Sequence, residues 1–196
     1  MPSAEAGVPT PGDRLPVFTP TGEQTVHRGW FIRVQRATFL DPDGTPFERD
    51  IVRHPGAVAV VAVTADGTVV LVRQYRPAMD GWLLEVPAGT CDVDGEPPEA
   101  TAARELAEEV GYAADRFDLL TRAAVTPGFC DEIVHVYLAT GLHPVPTDRQ
   151  GAEESFLEVV GVPLDRFDAM VDDGEVVDAT TILGVGLARR RLAATG

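Results

Sequence analysis

Two valine-dense runs dominate the hydropathy pattern, at residues 57–64 and 69–75, and the Ala65-Asp66-Gly67 step between them carries turn chemistry. They predict a hairpin of core strands. Nearer the N-terminus, residues 30–38 and 47–53 flank an Asp41-Pro42-Asp43-Gly44 turn and predict a second hairpin. Residues 82–86 form a short strand, 117–125 and 133–140 read as strands around Thr126-Pro127-Gly128, and 156–162 is the last strand. Residues 163–173 have helical periodicity that Gly174 stops, and Asp178 caps a final helix running to about residue 193. Residues 1–25, rich in Pro, Gly and polar side chains, read as an extended arm or tail, leaving 26–196 as one domain. Mixed strands with helices on either side predict an α/β sandwich.

The most informative pattern lies between Gly89 and Tyr112. On a wheel at about 100° per residue, Ala100, Ala103, Leu106, Ala107 and Val110 share one arc, and Glu105, Glu108 and Glu109 share the opposite one. Like charges one turn apart repel by roughly 0.2–0.5 kcal/mol per pair, a cost that a bound divalent cation removes. Hard cations such as Mg²⁺ take oxygen ligands, commonly one or two carboxylates together with substrate phosphates. An isolated acidic run of this kind is ordinarily just a solvated helix face. Here the flanking residues change that reading.

Glu96 lies eight positions before Arg104, Arg104-Glu105-Leu106 follows, then Glu108-Glu109, and Gly111-Tyr112 closes the run. This resembles the Nudix box, G-x5-E-x7-R-E-U-x-E-E-x-G-U, where U is bulky and apolar. Every position from Glu96 to Tyr112 matches. The front departs from the pattern, because six residues rather than five separate Gly89 from Glu96. The resemblance extends over about residues 30–192 and is strongest to the ADP-ribose pyrophosphatase branch. Its carriers there are Leu84-Glu85-Val86-Pro87-Ala88-Gly89, Val72-Arg73-Gln74-Tyr75-Arg76 and Thr126-Pro127-Gly128-Phe129. The fold it implies is an α/β/α sandwich with a mixed sheet and an N-terminal β-hairpin.

The resemblance also implies site residues. Glu105 and Glu109 are the first choice of metal ligands, with Glu108 a further ligand or a water-orienting group, and metal binding carries over to the backbone carbonyl of Ala88, with Mg²⁺ as the cofactor and Mn²⁺ as the alternative. Glu154 is the first choice for the acid that takes the proton of the attacking water, with Glu153 one residue away and Glu132 a third acid in reach of the site. Glu108 is the alternative base if neither loop acid serves. Arg104 pairs with a box carboxylate, Glu96 being the candidate. Arg76 is placed to bind a phosphate, whereas Arg73 reads as an outward strand residue. Phe129 or Trp30 is a candidate to stack on a base, though an aromatic in a strand is more often core. N-terminal strands of this branch commonly build a homodimer, so the hairpin over 30–53 is the expected dimer element.

Composition narrows the picture further. The chain has 196 residues, 44% of them hydrophobic, which suits one domain with a sizeable core. A formal charge of −15 argues against nucleic acid as a partner, and the sixteen basic side chains are all arginine. No apolar run reaches the roughly 18–20 residues that span a bilayer, and the N-terminus lacks the basic-then-apolar pattern of a secretory signal. Cys91 and Cys130 read as free thiols, and a cytoplasmic location is expected. The substrate expected is ADP-ribose or a related nucleoside diphosphate sugar. Alternatives are a GDP-sugar, an oxidised nucleoside triphosphate, or a nucleotide-sensing module without turnover.

Overall fold

The computed structural model describes residues 15–149 and 154–194, arranged in two compact units, one ending at Arg53 and the next beginning at His54. In the first, β1 (Thr19–Arg28), β2 (Arg33–Leu40) and β3 (Pro46–Arg53) form an antiparallel sheet in that order. The β2–β3 hairpin turns where expected. Asp41 Oδ1 accepts the N–H of Asp43 at 3.0 Å and of Thr45 at 2.8 Å, and Gly44 adopts φ of 84°, which glycine tolerates without strain. Beyond the hairpin there is a third strand. β1 runs across position 25, where the arm was expected to end, and Trp30 lies not in a strand but in the turn closed by the Gly29 N–H to Ile32 carbonyl bond of 2.9 Å. β1 is exposed on nearly every residue, so no apolar alternation announced it, and backbone pairing with β2 creates it.

The second unit begins with β4 (Ala57–Val63), β5 (Thr68–Arg76), β6 (Gly81–Glu85) and β7 (Ala88–Thr90), followed by helix α1 (Pro98–Val110). Then come β8 (Tyr112–Ala124), β9 (Ile133–Pro144), β10 (Glu158–Pro163), α2 (Phe167–Asp172) and α3 (Ala179–Ala193). The seven strands make one mixed sheet along the path β10-β5-β4-β9-β8, with β6 added to β5 and β7 to β4. Among the described residues only the β4–β9 pair runs parallel in this sheet. Alternate residues of β4 serve opposite faces, as a strand's period of two requires. Val58, Val60 and Ala62 pack with Ala102, Leu106 and Val110 of α1, while Ala59, Val61 and Val63 pack with Phe167, Val185 and Ala188 of α2 and α3. This is the α/β/α layering expected from the sequence.

Three boundaries shift. β8 starts at Tyr112, immediately after the helix, not at 117, because residues 112–116 pair with the end of β9, and Tyr112 and Ala114 pack against the core. Phe156 closes a 3-10 turn, Glu154–Phe156, ahead of β10. The helix expected over 163–173 is reduced to α2, because Pro163 is the last residue of β10. Gly174 does follow α2, with φ of 75°. Among the described residues no helix is long and apolar enough to cross a membrane.

Asp178 caps α3 as its sequence position predicts, its Oδ2 accepting the Thr181 N–H at 2.7 Å. Thr181 is fully buried, and its hydroxyl accepts the N–H of Val86 at 2.9 Å, joining the first turn of α3 to the chain between β6 and β7. Thr181→Val keeps the shape of the side chain and leaves that N–H without a partner. The expected loss of stability is about 1–3 kcal/mol by chemical denaturation; Thr181→Ser, which retains the hydroxyl, should lose clearly less.

Candidate active site

Helix α1 forms from an Ala- and Glu-rich segment of high helix propensity, opens with Pro98 in its first turn and ends at Gly111, whose φ of 70° is the left-handed cap that suits glycine. Its buried side differs from the wheel. Thr101, Ala102, Leu106, Glu109 and Val110 are buried, Ala100 is exposed, and Ala103 and Ala107 are half-buried. The helix is thus rolled toward its carboxylates. Alanines bury too little area to dictate the orientation against Leu106 and Val110, and Glu109 has a partner that makes its burial tolerable. It is 3% exposed, and its Oε2 accepts the Ala88 N–H at 3.1 Å.

The turn that meets this helix is Pro87-Ala88-Gly89. β4 holds it through the Val60 N–H to Pro87 carbonyl bond of 2.8 Å, the pairing of Ala59 with Ala88, and the Cys91 N–H to Gly56 carbonyl bond of 3.0 Å. Gly89 lies against Glu105 so closely that a Cβ there would fall 2.0 Å from the carboxyl carbon. With the extra residue in the following loop, Gly89 still packs directly against Glu105. The loop beyond β7 turns at Gly95, whose φ is 77°.

Arg104 is the hub of the charged cluster. Its Nη1 lies 2.8 Å from Glu105 and 3.0 Å from Glu108, and its Nη2 lies 3.4 Å from Glu96. Glu96 is thus a partner of Arg104, as expected, but one of three. Burial by itself would lower the affinity of this guanidinium for its proton. The Glu105 charge, the Glu96 and Glu108 hydrogen bonds and the Glu108 charge outweigh it, so the group is held far above its ordinary range. The Thr101 hydroxyl donates to Glu96 at 2.8 Å, and this bond, together with Arg104 and against some desolvation, holds the Glu96 carboxyl below its usual value. Burial pushes the Cys91 thiol up, the Thr101 hydrogen bond opposing and neighbouring carboxylates reinforcing, so it is a poor nucleophile at neutral pH.

A cleft of about 300 Å³ is lined by Gln74 and Arg76 of β5, residues 88–90, Asp92, and Arg104, Glu105, Glu108 and Glu109 of α1. Arg76 sits on the strand facing the helix. Its Nε contacts both oxygens of buried Glu85, at 2.9 and 3.1 Å, and its Nη2 bonds the same carboxylate. The Glu85 hydrogen bonds raise its proton affinity, burial opposes, and the charges of Glu85, Glu109 and Asp178 add to the rise, so Arg76 is a permanent cation in the cleft. Arg73 points outward and pairs with Glu158 at 3.5 Å.

The structure therefore brings together Ala88, Glu105, Glu108, Glu109 and Arg76. Phe129 and Glu132 lie in the loop between β8 and β9 and are not among the residues lining the cleft; Phe129 is 58% exposed, and Glu132 lies 3.6 Å from His54 Nδ1. Glu153 falls outside the described residues, as does the side chain of Glu154. Sequence reasoning gave no role to Gln74, Thr90, Asp92 or Glu85. Gln74 was within reach of a period-two argument, since it stands two residues before Arg76 on the same face of β5 and is buried. Among the described residues no three acidic, His or Cys side chains enclose a common point, and the guanidinium of Arg104 stands between Glu105 and Glu108. The carboxylates present only oxygen, the donor that suits a hard divalent cation completed by water and phosphate.

A model of the NUDIX domain matches residues 53–180. The ADP-ribose pyrophosphatase of Bacillus subtilis (strain 168) is 44% identical over 144 residues, covering 74% of this chain and 77% of that protein. The ADP-ribose pyrophosphatase of Mycobacterium tuberculosis (strain ATCC 25618 / H37Rv) is 40% identical over 168 residues, covering 86% of this chain and 81% of the other. A solved structure of an ADP compounds hydrolase superposes with a TM-score of 0.80 at 24% identity, covering 95% of this chain and 99% of that one, and supports the fold. With its box helix seated on the Ala88-Gly89 turn and the family pattern running from before β4 into α3, the chain belongs to the Nudix family.

Proposed function

We propose that this chain hydrolyses the diphosphate linkage of ADP-ribose, or of a closely related nucleoside diphosphate sugar, to AMP and ribose 5-phosphate, with Mg²⁺ as cofactor. The observation that carries this reading is the cleft itself. Glu109 and Glu105 meet the Ala88-Gly89 turn, Glu108 lines the same cleft, and the cation Arg76 reaches it from β5. Relatives named ADP-ribose pyrophosphatase support the choice of substrate.

Glu105 and Glu109, with Glu108 and the Ala88 carbonyl, would hold the metal. When bound, the metal neutralises phosphate charge and lowers the pKa of bound water. Arg76, fixed by Glu85, is suited to hold a phosphate oxygen by a charge-assisted bond. The water oxygen bonds to phosphorus, the bridging P–O bond breaks, and the departing phosphate keeps that bond's electron pair. A carboxylate takes the proton of the water, and Glu154 or Glu153 is the proposed acceptor. Two free thiols, Cys91 and Cys130, accord with a reducing, cytoplasmic setting.

Glu109→Gln should keep the Ala88 N–H bond through its amide oxygen while losing the charge. Turnover of ADP-ribose should fall on the order of 10²-fold or more, with the Mg²⁺ requirement displaced. Activity close to normal at limiting Mg²⁺ would remove the proposed metal site. The panel extends to ADP-glucose, GDP-mannose and oxidised dGTP. A stronger preference for one of these transfers the substrate assignment to it.

The base is separated by two substitutions. Glu154→Gln should depress kcat with little effect on KM or on Mg²⁺ dependence, and Glu153→Gln should not. The reverse ranking moves the role by one residue; changes below about threefold in both, or about 0.65 kcal/mol of barrier, return it to Glu108.

The first unit exposes Phe18, Val26, Trp30 and Phe31, more apolar surface than one small sheet usually leaves to water. In this reading it pairs two copies of the chain. Light scattering should give twice the monomer mass for the full chain and one monomer mass for residues 54–196; a monomeric full chain excludes the dimer.

A further inference from the structure

The last carbonyls of an α-helix have no partner within the helix, and α1 has no basic residue in its last turn to offset the negative end of its dipole. The chain after β9 supplies both. The Val145 N–H bonds the Gly111 carbonyl at 2.8 Å, the Asp148 N–H bonds the Glu108 carbonyl at 3.3 Å, and Arg149 Nε donates to the carbonyl of Glu109 at 2.9 Å. Arg149 Nη1 then donates to the carbonyl of Leu157 at 2.8 Å. Leu157 is buried in the core beneath α1 and directly precedes β10, whose Glu158 pairs with Arg73 of β5. One half-buried guanidinium thus joins the backbone of a cleft carboxylate to the strand pair that carries Arg76.

We propose that Arg149 is a positioning residue for hydrolysis. Its planar fork holds the Glu109 and Leu157 carbonyls at a fixed separation, which sets the Glu109 carboxylate relative to Arg76 across the cleft. A lysine carries the charge on one nitrogen without the rigid fork. The assignment rests on the pyrophosphohydrolase reading of the cleft.

Arg149→Ala and Arg149→Lys in the full chain are compared with wild type for kcat and KM on ADP-ribose with saturating Mg²⁺, and for melting temperature. Arg149→Ala should lower kcat about 10-fold or more, as loss of a group that orients metal ligands does, with KM nearly unchanged. Arg149→Lys should melt near wild type, since it keeps a charge at the helix end, yet recover little kcat. A purely structural role moves the melting temperature and spares the kcat of folded enzyme. A kcat within about threefold of wild type in Arg149→Ala, or full recovery in Arg149→Lys, overturns the proposal. If Arg149→Ala does not fold, the kcat of Arg149→Lys decides alone. A wild-type chain inactive on every diphosphate substrate of the panel would instead remove the functional reading, and this assignment with it.

Discussion

Everything at the site depends on how closely the carboxylate face of α1 rests on the Ala88-Gly89 turn. Glu109 is buried because a backbone N–H of that turn satisfies it, and Glu105 reaches the turn because Gly89 has no side chain to hold it off. A buried carboxylate without such a donor would be costly, and the helix would roll its acids into water. The bond and the missing Cβ together turn an acidic helix face inward. The turn can do this because β4, the most thoroughly buried strand of the sheet, holds its backbone.

Concentrating negative charge in a chain of net charge −15 calls for local compensation, and arginine supplies it in two ways. Arg104 contacts Glu96, Glu105 and Glu108 at once, relieving repulsion along the helix. Arg76, locked onto buried Glu85, puts a fixed positive charge on the opposite wall. Both cations thus stand among the carboxylates that line or flank the cleft, where each lowers the local repulsion.

The layers around the cleft serve the same end. α3 is tied to the start of the turn through Thr181 and Val86, and α1 is tied at its C-terminal end to the segment leading into β10. Both ties use side chains to satisfy backbone groups that helix or strand termini would leave open. Most of the described cleft is thereby carried by β5, β7 and α1.

Much of this was legible in the residues themselves. The helical period put the three acids of α1 on one side, the resemblance carried by the spacing from Glu96 to Tyr112 marked them as a site, and Glu96 was one candidate partner for Arg104, because residue spacing and helical period are local properties of the chain. Valine density located β4 and β5, and Asp178 and Gly174 marked their helix ends, because apolar runs and capping chemistry are local properties. Pairing and depth were decided elsewhere. β1 is polar and exposed and becomes a strand through pairing with β2, the start of β8 extends along β9, and the roll of α1 depends on a hydrogen bond to Ala88, twenty-one residues away. The bonds of Arg149 to Glu109, forty residues distant, and to Leu157 likewise join parts of the chain that only folding brings together. Sequence determines what each segment can do by itself; contacts between remote segments determine which of those capacities meet, because burial and hydrogen-bond satisfaction are properties of the packed chain.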